Sequence, residues 1–369
     1  MSNQTVVPEQ YDNQLNDKVA LLAEQLQRQL PDLTLPVIER FESPKSHYRM
    51  RAEFKLWHDG DICYHAMYQQ DEYKKPYRVD DFPVAGKLIN QLMSTLIDQL
   101  NSSELLKRKV FQVEYLTTTT GQALISLIYH KVLDDDWQAA AEQLASDLGV
   151  SVIGRSRKQK IVIGRDSVEE TLTVNGREFH YQQVETGFTQ PNAKVCEKML
   201  SWAQDASTNL SGDLLELYCG NGNFTLPLAQ QFERVLATEI SKTSVNSALY
   251  NLEKNAVDNV TIVRMSSEEF SEAMDGVRPF RRLKEIDLGS YNFSTIFVDP
   301  PRAGLDDHTV EIVKGFDNII YVSCNPETLL SNLKSITETH RIERFAVFDQ
   351  FPYTHHLECG VNLCRQPSN

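Results

Sequence analysis

The chain has 369 residues, of which 41% are hydrophobic and 24% charged, with 16 Gly and 14 Pro. That balance excludes disordered, collagen-like and coiled-coil classes, and the length predicts about two domains. With 37 basic against 51 acidic side chains the net charge is −14, which argues against a sequence-blind nucleic-acid binder, because such a protein carries a basic surface.

Residues 1–180 hold 21 basic and 26 acidic side chains, and residues 181–369 hold 16 and 25. Neither half is basic, so a polyanionic partner has to be met by a local patch. No apolar run approaches the ~20 residues that span a bilayer. The first thirty residues lack the basic and apolar regions of a secretory signal, so a cytoplasmic location is expected. Six cysteines, Cys63, Cys196, Cys219, Cys324, Cys359 and Cys364, are scattered without a CxxC pair or histidines at zinc spacing. Neither a disulfide framework nor a metal site is expected from them.

The expected elements begin with a helix over residues 9–30, where Tyr11, Leu15, Val19, Leu22, Leu26 and Leu30 recur at steps of three and four. Tyr48 to Trp57 alternates as a strand, with Tyr48, Met50, Ala52, Phe54 and Leu56 on one face and Arg49, Arg51, Glu53 and Lys55 on the other. His58-Asp59-Gly60-Asp61 reads as a hairpin turn into a strand over 62–68. A helix over 85–100, strands over 110–116 and 123–129, and a helix over 135–148 follow. Strands over 150–154, 159–164, 168–173 and 176–181 complete an α+β, mostly antiparallel first half. From about residue 184 the pattern changes to alternating βα units. Helices are expected over 193–206, 223–232, 243–255, 307–315 and 326–337. Strands are expected over 213–218, 234–239, 259–264, 294–299, 318–323, 341–349 and 358–364, and 268–292 reads as irregular. Strands rich in Val, Ile and Leu between helices indicate a doubly wound parallel sheet. The last two strands have no helix between them, so the final one is expected to insert antiparallel in a mixed seven-stranded sheet. The domains are therefore placed at 1–183 and 184–369.

Four segments carry chemistry. Leu214–Phe224 runs an apolar strand into a Gly220-Asn221-Gly222 turn, and Glu239 ends the next strand, where a carboxylate meets the hydroxyls of a ribose. With only two glycines this suits S-adenosylmethionine as well as NAD. Val298-Asp299-Pro300-Pro301-Arg302 ends the fourth strand like a methyltransferase loop facing a methyl acceptor, with Arg302 in place of the aromatic residue of amino-group methylators. Tyr321-Val322-Ser323-Cys324-Asn325-Pro326 puts a cysteine at the carboxyl end of a parallel strand, just before a helix whose N-terminus is expected to lower its pKa. Cys63, Cys196 and Cys364 read as small buried hydrophobes. The loop Phe348–Cys359 returns His355, His356 and Glu358 to the same sheet edge. The adjacent histidines are expected to point apart and make poor joint metal ligands, and Glu358 is the candidate base.

Taken in order, FTQPN (188–192), LLELYCGNGNF, FVDPPRAGLD, YVSCNPETL and FDQFPYTHHLECG resemble the RNA uracil-C5 methyltransferases over nearly all of 184–364. The first half, including SPKSHYRMRAEFKLWHDGD (43–61), looks like the tRNA (uracil-5-) branch. The resemblance implies a Rossmann-like methyltransferase domain after an N-terminal α+β RNA-recognition domain, and methylation of a T-loop uridine at position 54 of tRNA. RNAs with a T-loop-like fold, such as tmRNA, are further candidates. It assigns Gln190, Tyr218, Asn223, Glu239 and Asp299 to S-adenosylmethionine, Cys324 to the nucleophile and Glu358 to the general base. Relatives acting on ribosomal RNA usually carry an OB-like domain or a cysteine cluster. Here the first cysteine, Cys63, stands alone, which implies tRNA, no iron–sulfur centre and no metal. A monomer is expected.

The chemistry agrees with this reading. Uracil C5 becomes nucleophilic once a thiolate adds at C6, and the C5 proton must then be removed by a base. Arg302 is the candidate donor to the enolate oxygen. Phosphate contacts are expected from Arg49, Arg51 and Lys55, with Lys107–Lys109 and Arg155–Lys158 as further groups, while Phe111 and Tyr115 are stacking candidates read more readily as core. The nearest chemical rivals are an rRNA uracil-C5 or an RNA cytosine-C5 methyltransferase. A methyltransferase for small molecules or proteins would not need Cys324, and an RNA chaperone would use the fold without catalysis.

Overall fold

In the computed structural model, residues 6–31, 33–69 and 72–367 are described, so the outermost residues of both expected domains lie outside them. The chain divides into two compact units. One comprises residues 1–9, 44–171 and 182–193, and the other 10–43, 172–181 and 194–369. This differs from a division at 183. The helix Tyr11–Gln29 buries Tyr11, Leu15, Val19, Leu22 and Leu26, the residues its periodicity selects. They join the same apolar cluster as Ile319, Tyr321, Phe345 and Val361 of the C-terminal sheet. An amphipathic stripe dictates burial but not the partner, and here the partner lies some 300 residues away in the chain.

The first unit holds a seven-stranded sheet in the order Glu72–Arg78, Ile62–Gln69, Arg51–Asp59, Val110–Thr117, Ala123–Tyr129, Ser151–Ser156 and Gln159–Ile163. Its pairings are antiparallel except between Ala123–Tyr129 and Ser151–Ser156, which the helix Asp135–Leu148 connects. The hairpin Asp59↔Ile62 closes over Gly60-Asp61, with Gly60 at φ 57. The strand Glu72–Arg78 is absent from the sequence reading. Its charges and Pro76 depress β-propensity, and an edge strand tolerates both. A separate two-stranded sheet pairs Ser167–Val174 with Arg177–Val184.

The second unit holds eight strands rather than seven, in the order Ile38–Phe41, His340–Phe348, Glu358–Arg365, Asn318–Ser323, Phe293–Val298, Asp213–Leu217, Val235–Thr238 and Val260–Val263. The added strand, Ile38–Phe41, runs parallel to His340–Phe348; four residues between prolines and charges carry no readable period. Glu358–Arg365 inserts antiparallel between His340–Phe348 and Asn318–Ser323, as expected. Gly360 lets it pass the indole of Trp202, since a Cβ there would lie 2.7 Å from the ring. The helix expected over 223–232 is only Thr225–Leu228, which contains Pro227. Conversely, 268–292 is not wholly irregular. Ser266 and Glu269 form a capping box that starts a helix over Ser267–Met274. Among the described residues, no helix is long and apolar enough to cross a membrane.

Candidate active site

Strand order reverses at Asp213–Leu217, between Val235–Thr238 on one side and Phe293–Val298 on the other. Such a switch point opens a crevice beyond the carboxyl ends of the strands. Leu217 pairs with Val298, so Tyr218 and Asp299 are the next residues on each side of that crevice. Tyr218, Gly220 and Gly222 all have left-handed φ, at 63°, 57° and 81°. For tyrosine this is a strained conformation that surroundings must enforce, and its hydroxyl is tied to Ser267 Oγ at 2.7 Å. A Cβ on Gly220 would meet nothing within 4 Å, so the space above the turn is open.

Glu239 follows Val235–Thr238 and holds the turn from the side. Its Oε2 accepts the Gly220 N–H at 3.1 Å and its Oε1 the Ser241 N–H at 2.7 Å. The Asn223 amide lies against Cys196 Sγ at 3.4 Å, and its carbonyl accepts the Tyr181 hydroxyl at 3.0 Å. Four of the five predicted cofactor residues therefore line one turn and one crevice. The fifth, Gln190, belongs to the segment 182–193 of the first unit and is half-buried there.

Cys324 and Glu358 meet through strand register. In the ladder between Asn318–Ser323 and Glu358–Arg365, Val322 faces Gly360 and Ser323 faces Cys359. One further step sets Cys324 across from Glu358. Burial pushes the Glu358 carboxyl up to about 8, and Asp299 adds to the rise while Arg302 opposes it. Burial likewise takes Asp299 to about 7. Contrary to the sequence expectation, the Cys324 thiol is raised, to about 11: burial, Glu358 and Asp299 outweigh the pull of Arg302 and of a backbone hydrogen bond.

Sequence reasoning missed a third acid, Glu216. It sits 1% exposed in the middle of the strand Asp213–Leu217, and its Oε2 has no hydrogen-bond partner among the described residues. Burial raises its carboxyl to about 8, Thr225 opposes the rise and Asp299 adds to it. A glutamate inside an otherwise apolar strand was the available signal. Glu216 Oε2 thus keeps acceptor capacity in a buried position where Asp299 adds to the rise of its carboxyl.

Arg302 is exposed, and its guanidinium reaches His356 Nδ1 at 3.3 Å. The rings of His355 and His356 do not point apart; their centroids are 4.1 Å from each other. Among the described residues, no group of three or more His, Cys, Asp or Glu is placed to hold a metal ion.

The basic residues of the first unit are largely engaged within it. Arg51 donates to the backbone carbonyls of Gly187 at 2.8 Å and Glu185 at 2.6 Å, and Arg49 Nε donates to the Arg51 carbonyl at 2.7 Å. The Met50 N–H donates to the Pro191 carbonyl at 2.7 Å. The Arg51 and Met50 bonds fasten the segment that carries Phe188 and Gln190. Arg155 is paired with buried Glu185 at 2.5 Å. Lys55 is exposed, bonded to Gln112, with its ammonium 5.8 Å from the Phe111 ring centroid. Tyr115 is core at 1% exposure, and Phe111 stacks on His130 with centroids 3.8 Å apart.

A switch-point crevice with a strained Gly-rich turn, an acid after the second strand and a thiol facing a carboxyl fits one class, the S-adenosylmethionine-dependent methyltransferases. The model of the tRNA (uracil-5-)-methyltransferase family matches residues 10–366, and the chain belongs to that family. It is 59% identical to a tRNA/tmRNA (uracil-C(5))-methyltransferase of Saccharophagus degradans, over 97% of this chain and 98% of the relative. It is 54% identical to the protein of that name in Vibrio parahaemolyticus, over 99% and 100%. The fold is shared with the crystal structure of a Pyrococcus abyssi tRNA (uracil-54, C5)-methyltransferase in complex with S-adenosyl-L-homocysteine. The TM-score is 0.70 at 21% identity, covering 96% of this chain and 83% of that one.

Proposed function

We propose that this chain methylates C5 of uridine 54 in the T loop of tRNA, and the corresponding uridine of tmRNA, through a covalent bond between Cys324 and uracil C6. The relatives named for tRNA and tmRNA support the substrates. The observation that carries the mechanism is the register that sets Cys324 opposite Glu358 at the carboxyl edge of the sheet.

Tyr218, Asn223, Glu239, Asp299 and Gln190 hold S-adenosylmethionine in this reading. The open turn at Gly220 fits a nucleoside, Glu239 its ribose hydroxyls, and the paired acids Glu216 and Asp299 a cationic group. When bound, S-adenosylmethionine supplies a positive sulfonium and an electrophilic methyl group.

The residues of the chain do the rest. In the free protein Cys324 is protonated, with its thiol at about 11. Positive charge beside Asp299 and Glu358 lowers that barrier, and Arg302 already acts in this direction. The thiol gives its proton to water, the thiolate adds to C6, and the electron pair displaced from the C5–C6 double bond makes C5 nucleophilic and builds charge on the ring oxygen, which Arg302 stabilises. After C5 gains the methyl, Glu358 accepts the C5 proton, the C5–C6 double bond re-forms and Cys324 leaves. Once ionised, a carboxyl raised to about 8 is a stronger base than an ordinary one, and positive charge beside it increases the ionised fraction.

A T-loop uridine is stacked within a folded arm and must be extruded to reach Cys324. We assign backbone contacts to exposed Lys55 and Arg302, and give Arg51, itself held by Arg49, the task of holding the segment around Gln190. Nucleoside analysis of tRNA incubated with the protein and S-adenosylmethionine, together with tritium release from C5-labelled uridine, tests the assignment. The expected product is 5-methyluridine with stoichiometric tritium release, and its absence would sink the reading.

A further inference from the structure

Lys18 lies on the helix Tyr11–Gln29 and is almost completely buried, its side chain 8% exposed. Buried lysines are uncommon and need every donor satisfied. All three are. Its ammonium donates to Asp349 Oδ1 at 2.7 Å, to the Phe351 carbonyl at 3.0 Å and to the His356 carbonyl at 3.0 Å. Asp349 has no exposed side-chain surface, and its other oxygen accepts from Gln14 Nε2 at 3.1 Å. Gln14 in turn accepts the Tyr353 N–H at 3.2 Å, and the Tyr11 ring meets Tyr353 edge-on at 6.1 Å.

Every one of these bonds ends on the loop between the strands His340–Phe348 and Glu358–Arg365. His356 is the residue through which the loop touches Arg302, and it stands two residues before Glu358. The helix therefore holds the loop that leads into Glu358, with the Lys18 ammonium as its central contact. Polar bonds fix position within a few tenths of an ångström, which apolar packing alone does not.

We propose that Lys18 is a positioning residue of the methyltransferase reaction, setting the loop 349–357 so that Glu358 is aligned on the methylated uracil–Cys324 adduct. This rests on the reading of Glu358 as the base. The N-terminal helix thereby belongs to the catalytic apparatus of the second unit.

The test uses the full-length protein carrying Lys18→Met with Asp349→Asn, which removes the clamp without leaving a buried charge unpaired. Kd for S-adenosylmethionine and kcat/KM for tRNA are expected within about threefold of wild type. A displaced base lowers kcat by about 10- to 100-fold. Because the slowed step follows methyl transfer, denaturing gels should show a protein–RNA band that contains methylated uracil. Wild-type kcat, a loss expressed only in KM, or a loss that scales with the unfolded fraction seen by circular dichroism would each overturn the proposal. Should the pair fail to fold, Lys18→Gln is measured with the same expectations, and failure of both to fold makes Lys18 a core residue and overturns it. Glu358→Gln is run alongside. If it turns over normally, the base assignment itself is wrong. If it traps the adduct while the Lys18 variants do not, the Lys18 proposal alone fails.

Discussion

The crevice of the second unit and the basic strand face of the first differ in how completely their charges are answered. In the crevice, Glu216, Asp299 and Glu358 are pushed up to about 8, 7 and 8, and Glu216 Oε2 has no partner among the described residues. On the strand face, Arg51 is committed to backbone carbonyls, and Arg155 nearby is paired with Glu185. Ionisable groups whose ionisation a packed region opposes are maintained against stability and mark where a ligand is to bind. Answered charge is architecture, whatever its sign. The acids of an acidic protein thus point to its site more directly than its arginines do.

The largest effect expected is at the thiol. Cys324→Ala should lower turnover by about a thousandfold or more, since it removes the covalent step, while S-adenosylmethionine binding by calorimetry stays near wild type. Methylation close to normal would remove Cys324 from the mechanism and with it the contrast between the two regions.

Glu358→Gln should lower turnover by about a hundredfold or more and accumulate a methylated covalent adduct on denaturing gels. A dead variant without adduct would move Glu358 to substrate binding. The same substitution has a stability signature. The folded carboxyl titrates at about 8 against an ordinary 4.5, so the folded state holds a proton that the unfolded chain gives up. Wild type therefore loses stability as pH rises from about 4.5 towards 8, and glutamine does not. The melting temperature of Glu358→Gln relative to wild type should rise from pH 5 to pH 8, and a gap that does not widen would refute the burial argument.

Acids and a thiol raised together make the free protein poorly ionised at neutral pH. The kcat/KM for tRNA should climb by up to about tenfold per unit between pH 6.5 and 8. A flat profile there would show that the crevice carries no such protonation burden.

The smallest effects separate the cations of the first unit. Arg51→Ala should lower stability by about 1–3 kcal/mol through lost charge-assisted bonds to backbone, read as a lower urea midpoint. The salt dependence of tRNA binding should not change. Lys55→Ala should leave the midpoint in place and lower the log–log salt slope by about one unit. The reverse pattern would make Arg51 the phosphate contact and Lys55 the brace.

Much of this was legible in the residues. Period 3.6 selected the buried stripe of Tyr11–Gln29, period 2 the face Ala52, Phe54 and Leu56, and local turn and strand chemistry placed Tyr218, Glu239, Asp299 and Cys324 at strand ends. The capping box at Ser266 was readable too, and was passed over among charges. Three things were not local. The partner of the first helix, the eighth strand at Ile38–Phe41, and the grip of Lys18 on the loop before Glu358 each join residues about 300 positions apart.

The sequence by itself determined which side chains are apolar on which face, where strands give way to glycine turns, and which thiol and carboxyls stand near those ends. These follow from backbone sterics and periodicity within a few residues. Tertiary structure alone decided the ionisation of Cys324, raised where a helix N-terminus had suggested lowering, and the partners of Arg51, whose guanidinium bonds backbone carbonyls. Desolvation and hydrogen-bond partners set both, and these are properties of the packed neighbourhood, which no window of sequence contains.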